Sequence, residues 1–507
     1  MRPTAMVIVA LLAVLATHAH STVVHVPSDQ PTIALGIAAA DPGDTVEVAY
    51  DTYHESGLVI AKPITLLNDW ALPGVVTIDG DNLGRILEIH DADGTVIEGI
   101  KFDEGYSSDV GGGVKVDSCD VRFVNCHFYG CHADIEGGGL RYRKGTPEIV
   151  ECAFIGNTAG NSGAGLLLTG TTDGEVFDCT FNNNTAQWGG GAAIYEASTT
   201  PFELCTFNSN NAAGAEGYGG GAYIWDEVET EFTSCGFSYN TSTGGGGGAC
   251  SDDECATLFD GCSFVGNSAA WGGGLFVYEP EDGSVEGSDF ILNDADVGGG
   301  VAVEGASSFS ITLCIFDGNN ASMAGGGVAL ENCSAAGIVA NCALSDNDAN
   351  WGGAVAVEDC DIPVVIGGCT MALNEATGTR AAGAGVAFTG GTPATIENTI
   401  IAFGRAGGSV VCEEGASLTA NTCVIHGNVG GDWIDCLAGQ ESLGWNSDVD
   451  PLFCGLSGAW FSLCENSYCT AAGNPSGTQI GALGPGCDAC DSPVEATSWG
   501  SIKALYR

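Results

Sequence analysis

Along most of the chain, apolar side chains recur in pairs two residues apart, each pair closed off by polar residues and glycines. The unit reads Cys-x-Phe-x-x-Asn, followed a few residues later by a glycine run and a short aliphatic stretch. It stands as CTFNNN at Cys179–Asn184 with GGGAAIY at Gly189–Tyr195, and returns as CTFNSN with GGGAYIW, CSFVGN with GGGLFVY and CIFDGN with GGGVAL. The central apolar position runs from Phe102, Phe128 and Phe154 to Ile400 and Ile425, thirteen units spaced 25 to 30 residues apart. Residues two apart on a strand share a face, so Cys and Phe of each unit point the same way. Leu275-Phe276-Val277 and Val301-Ala302-Val303 show the same spacing in the second stretch. Each unit therefore predicts two or three short strands joined by Gly- and Asn-rich corners.

One such unit cannot close a core, whereas a stack of them can. The period is too short for a strand–helix–strand unit or for a propeller blade of about forty residues. The expected fold is all-β, a right-handed parallel β-helix (solenoid) of about 13–16 coils with terminal caps, rising about 4.8 Å per coil. Stacking turns each repeat position into a ladder. Cys recurs in ten units from Cys126 to Cys423 and reads as mostly buried thiols packing as small hydrophobes, with neighbours inside disulfide reach. Asn recurs from Asn157 to Asn428, where side-chain amides can bond coil to coil.

The segments follow from this pattern. Residues 1–19 read as a signal peptide, with Arg2, an apolar run from Ala5 to Ala16, and small residues at Thr17-His18-Ala19. Residues 20–98 hold an N-terminal cap and the first coils, 99–435 the repeats, 436–492 a Cys-rich C-terminal cap, and 493–507 a tail of unassigned role. A secreted or cell-surface protein is expected, with no membrane insertion, because no other window is apolar for long enough.

Charge narrows the partners. Sixty-four acids face 13 bases, a formal charge of −51, and no Lys or Arg occurs between Gly145 and Thr379. Such a surface repels phosphate backbones, which excludes nucleic acid. The 23 cysteines suit an oxidising compartment, their odd number leaves at least one without an intrachain partner, and Cys487-x-x-Cys490 reads as a terminal staple.

Candidate chemistry lies just past the glycine strand, where alignment of the units places Tyr195, Trp225, Asp252, Tyr278, Glu304, Glu331 and Glu358 in one outward column. Beside it run Glu196, Asp226, Asp253 and Glu279. Exposed rings of Tyr195, Trp225 and Tyr278 suit sugar faces, and Glu196, Asp226 and Glu279 can accept hydrogen bonds from sugar hydroxyls. Carboxylates two coils apart would be about 9–10 Å from each other, near the upper end of inverting-glycosidase spacing, which keeps a hydrolase as an alternative. Asp252, Asp253 and Glu254 make calcium a candidate cofactor. Arg141, Arg143 and Lys144 form a basic cluster on one coil, at the N-terminal end of the column, although the net charge opposes an anionic polymer.

The pairing of FxxN with GGA or GGG resembles the repeats of polymorphic outer membrane proteins, a family of bacterial surface adhesins. The stretches Asp41-Pro42-Gly43-Asp44-Thr45-Val46-Glu47-Val48, Tyr53-His54-Glu55 and Lys62-Pro63-Ile64-Thr65-Leu66 resemble the opening of secreted β-helix proteins of the pectin-lyase-like superfold. Asp450-Pro451-Leu452-Phe453-Cys454 and Ile480-Gly481-Ala482-Leu483-Gly484 resemble their closing cap. The resemblance implies a surface-exposed, non-enzymatic, adhesin-like protein that contacts glycans or cell-surface components. The superfold also hosts lyases and hydrolases, so a polysaccharide-degrading enzyme is the second expectation.

Overall fold

The computed structural model describes residues 21–71, 74–306, 308–334, 337–361, 363–378, 383–455 and 461–490, so the expected signal peptide and tail lie outside the described residues. The repeats wind a right-handed parallel β-solenoid of about 17 turns. Three long sheets form its faces. Sheet A has sixteen strands from Val23–Val26 to Ser417–Asn421, sheet B fifteen from Thr52–His54 to Val424–His426, and sheet C fourteen from Leu58–Ile60 to Gly408–Cys412. Each coil runs from A through B to C. Between B and C lie two short sheets, of six strands (Tyr106–Ser107 to Thr241–Ser242) and four strands (Asp294–Val297 to Glu375–Ala376).

The predicted ladders set the register, with one correction: Met371 and Ile425 pair with Ile401 in the core column, and Ile400 faces outward instead. Phe207 pairs with Phe181 below and Phe237 above, and the rings from Phe128 to Phe316 stack at centroid spacings of 4.6 to 4.9 Å. Phe202, Phe232 and Phe259 make a second stack inside sheet A. At the end of each sheet B strand a buried asparagine donates its amide to the Oδ1 of the asparagine one coil on, in an unbroken run from Asn157 to Asn374. Buried amides satisfied in this way hold one register and resist slippage.

Between sheets A and B sits the cysteine ladder, all of it buried and reduced. Each thiol donates to backbone carbonyls, as Cys152 does to Phe123 and Val150 at 3.6 and 3.3 Å. Ser288 and Thr399 fill the position in two coils without Cys, accepting the amide N–H of Cys262 and Cys369. The ladder disulfides that the coil spacing allows do not form. Three bridges lie in the C-terminal part instead: Cys412–Cys436, Cys454–Cys487 and Cys464–Cys490. The two arms of Cys487-x-x-Cys490 thus join different partners, as a staple.

Glycine is required at the corner before sheet C. Gly189 has a left-handed φ of 61°, and a Cβ on Gly190 would fall 2.6 Å from a carbonyl oxygen of the next coil. Helix α1 (Ile33–Ala39), capped by the Thr32 side chain, buries Ile33 and Ile37 over the first coil. At the other end Leu437 and Trp433 close the core. The chain then turns back along the outside of sheet B, where Phe453, Phe461, Leu463 and Ile480 pack on Leu373, Ile400 and Val424. Among the described residues no helix is long and apolar enough to cross a membrane.

Candidate functional site: the outer face of sheet C

Alternation along each sheet C strand points one set of residues into the core and the other outward. The outward set holds two parallel columns. One is the expected column: Thr169 pairs with Tyr195, Tyr278 with Glu304, Glu304 with Glu331 and Glu331 with Glu358. Trp225 and Asp252 continue it, one residue past the pairs Ile194–Ile224 and Ile224–Ser251. The other column, two residues earlier, runs Leu167, Ala193, Tyr223, Cys250, Phe276, Ala302, Ala329 and Ala356.

A wall overhangs this second column. Ser162, Trp188 and Tyr218 bridge in series, as do Trp271 and Val297, each immediately before a glycine run. The wall continues through Ala324 to Trp351. Left-handed glycines turn the chain here, so these side chains lie across the outer face of sheet C. Trp188, Tyr218 and Trp271 pack on Leu167, Ala193, Tyr195, Tyr223 and Phe276. The result is a second column buried beneath the wall, with the expected column along its edge.

This wall corrects the expectation for Tyr195. Its ring is only 8% exposed, and its hydroxyl donates to Ser162 Oγ at 2.8 Å. Tyr195 therefore offers no free face to a sugar; it supports Trp225, which stands edge-on to it with ring centroids 5.6 Å apart at 84°. Trp225 is 39% exposed and Tyr278 is half-buried. Glu196, Asp226 and Glu279 each follow a column residue in a left-handed conformation, φ 57°, 73° and 44°, which swings them onto the corner between sheets C and A. Glu279 still reaches back: its charge and its hydrogen bond raise the Tyr278 phenol above its usual value.

The acids that suggested calcium lie apart. Asp252 accepts the Tyr223 hydroxyl at 2.8 Å, and burial raises its carboxyl. Asp253 and Glu254 are exposed in the following turn, and the three do not converge on a point. Among the described residues the convergent groups are His54 with Asp79 and Asp81, which are largely exposed, and Cys454 with Cys464 and Cys487, which are in disulfides. The members of the basic cluster share one strand but differ in setting. Arg143 pairs with Asp117 at 2.7 Å, Lys144 is exposed, and Arg141 is half-buried beside Glu136, with burial lowering its pKa.

Toward the C-terminal coils the second column becomes small, from Phe276 to Ala302, Ala329, Ala356 and Ala387, all of them buried, while the expected column becomes Glu304, Glu331 and Glu358. A hollow of about 430 Å³ opens there, lined by Met323, Ala324, Asn350, Trp351, Glu358, Thr377 and Gly378. Burial, with the charges of Glu358 and Glu304, pushes the Glu331 carboxyl up to about 7. The row is thus able to hold a proton near neutrality. The sequence reading missed the wall and the hollow, although an aromatic directly before Gly-Gly, as in Trp188-Gly189, Trp271-Gly272 and Trp351-Gly352, was their visible signal.

No curated protein matches the chain in sequence. Among solved structures it is similar to a mannuronic acid specific polysaccharide family 6 lyase from human gut microbiota, at 13% identity and a TM-score of 0.36, over 64% of this chain and 81% of that one. It is similar also to pectate lyase Pel9A (12%, TM-score 0.28, 90% and 91%) and to the receptor-binding tailspike protein of bacteriophage Det7 (11%, TM-score 0.27, 79% and 76%). The model of the right-handed β-helix region matches residues 78–229 and 218–365, together more than half of the chain. With its in-register parallel coils, the chain belongs to the right-handed β-helix family.

Proposed function

We propose that this is an extracellular, adhesin-like β-helix that contacts glycans or cell-surface components along the outer face of sheet C and does not cleave them. The observation that carries the reading is the in-register column itself. Trp225 and Tyr278 stand two coils apart, about 10 Å along the rod, on a rigid sheet, with Asp226 and Glu279 beside them. Trp225 is held by Tyr195, so stacking a sugar on its free face costs little side-chain entropy. Charge-assisted hydrogen bonds from sugar hydroxyls to the neighbouring carboxylates would fix orientation. Three disulfides support an oxidising, extracellular setting.

One observation favours the second reading, a polysaccharide-degrading enzyme: a carboxyl at about 7 in Glu331, flanked by carboxylates, is suited to general acid chemistry. A glycan array followed by reducing-sugar release from each bound glycan separates the two. Binding without release is expected. Release that disappears in Glu331→Gln would establish the enzyme instead.

A further inference from the structure

We propose that His54, Asp79 and Asp81 form a zinc site that clamps the first coils of the rod. His54 ends the first strand of sheet B, and Asp79 stands beside it one coil on, paired in register. Asp81 follows after Gly80 in a left-handed turn, φ 49°, and its carboxylate returns to the same ring nitrogen. The His54 Nδ1 lies 3.0 Å from Asp81 Oδ2 and 3.8 Å from Asp79 Oδ2. A tetrahedral zinc with bonds of about 2.1 Å sets its ligand atoms about 3.4 Å apart, so these separations straddle what the ion needs. The three ligand atoms all lie within 4.8 Å of one another. His54 and Asp81 are exposed and Asp79 is half-buried, so an ion can reach all three, and a fourth position is left to water.

Two features set this cluster apart from the other surface ion pairs. The first is charge left over. An imidazole nitrogen carries at most one N–H, so Nδ1 of His54 cannot serve two carboxylates at once. Asp103, next in the Asp79 column, is held by Lys101 at 2.6 Å. Among the described residues Asp79 and Asp81 have no Lys or Arg partner, and no other histidine brings two carboxylates to one nitrogen. Asp79 Oδ1 accepts the backbone N–H of Asp81 at 2.8 Å, which fixes the carboxylate and leaves Oδ2 for an ion. The second feature is position. Disulfides staple the C-terminal part, but the chain has no cysteine before Cys119, so its first coils carry no covalent staple. An end coil is held by a neighbour on one side only, and an ion shared by His54 and Asp79 would tie two such coils together. An imidazole with two carboxylates suits zinc, whereas calcium takes oxygen ligands.

The test is calorimetric titration of the full chain with zinc chloride at pH 7.5 and 0.15 M NaCl, with calcium chloride in parallel and a thermal melt of each sample. The parent should bind one zinc ion at a site that His54→Ala weakens by about tenfold or more, and Asp81→Asn likewise. His132→Ala removes another exposed ring, the partner of Asp134, and should leave zinc binding unchanged. Excess zinc should raise the melting temperature of the parent more than that of His54→Ala. Calcium in equal amount should not displace the zinc.

Equal zinc binding by the parent and a folded His54→Ala, an equal loss in His132→Ala, or displacement by equimolar calcium would overturn the site, because the acidic surface at large would then be holding the ion. Absence of zinc binding at millimolar concentration would overturn it as well and make the three residues an ion pair only. Should His54→Ala fail to fold, Asp81→Asn decides alone, since it keeps the shape of the side chain and removes only its charge. The site lies on sheet B, so none of these outcomes bears on glycan contact along sheet C.

Discussion

Phe207 and Phe237 stack face to face one coil apart, with ring centroids 4.7 Å apart and planes within 3° of parallel. Both are fully buried, and they continue a column in which every ring touches the next. Phe207→Ala would open a cavity that the stacked neighbours cannot fill without leaving register. The expected cost is about 3–5 kcal/mol, read by urea titration. A loss under about 1 kcal/mol would mean that the column contributes little to the core.

The asparagine ladder predicts a second cost of a different kind. Asn240 Oδ1 accepts both the backbone N–H and the side-chain amide of Asn210, while its own amide donates to the Phe207 carbonyl and to Asn267 Oδ1, all at 2.9 to 3.0 Å. Asn240→Ala orphans these buried groups and should cost about 2–4 kcal/mol. Asn240→Asp should be worse at neutral pH, because a carboxylate would face two acceptors, and should recover partly in acid. Equal stability of the Asp variant across pH would contradict the donor assignment.

The core and the rim were legible because both depend on spacing. Cys179 and Phe181 lie two apart and return each coil, so face and neighbour follow from the period. The same alignment put Trp225, Tyr278 and Glu331 into one column, and the ladders place them there. What covers that column was not legible. Tyr195 looks outward by alternation, yet Trp188 and Tyr218 fold over its neighbourhood after a left-handed glycine corner, and a corner angle leaves no periodic trace. The hollow was hidden for a similar reason, since Met323, Asn350 and Thr377 come together with Glu358 only through the wall that carries Ala324 and Trp351. Disulfide pairing was also out of reach, because Cys454, Cys464, Cys487 and Cys490 allow three connectivities and only their placement selects one.

The seventeen ladder and core thiols should be silent in the native protein. All seventeen are buried, so reagents cannot reach them, and burial also pushes Cys131 and Cys423 up to about 12. Thiol titration should read near zero when folded and seventeen per chain in denaturant without reductant. Twenty-three in that denatured sample would mean that the three bridges do not form.

Stability should fall as pH rises from about 4.5 to about 7. Glu331 has its carboxyl raised by burial to about 7 in the folded state, against 4.5 when unfolded, so in this window the native state holds more protons and deprotonation disfavours it. Its contribution is fully present below 4.5 and lost above 7, and amounts to about 1–3 kcal/mol. Asp252 and Glu304, raised chiefly by burial, act in the same direction. Glu331→Gln should flatten the dependence of the melting temperature on pH between 5 and 8. A slope unchanged by the substitution would place the coupling elsewhere.

The most direct test of the account is glycan binding by Trp225→Ala/Tyr278→Ala, beside the parent and with folding checked by circular dichroism. The two rings lie in the same outward column, and Tyr278 is joined to Glu279. The account predicts that the folded double mutant loses about tenfold or more in affinity for the glycans that the parent retains, as removal of stacked aromatic anchors does. A folded double mutant that binds every parent ligand unchanged would contradict it, and would make the outer face of sheet C scaffold rather than contact surface.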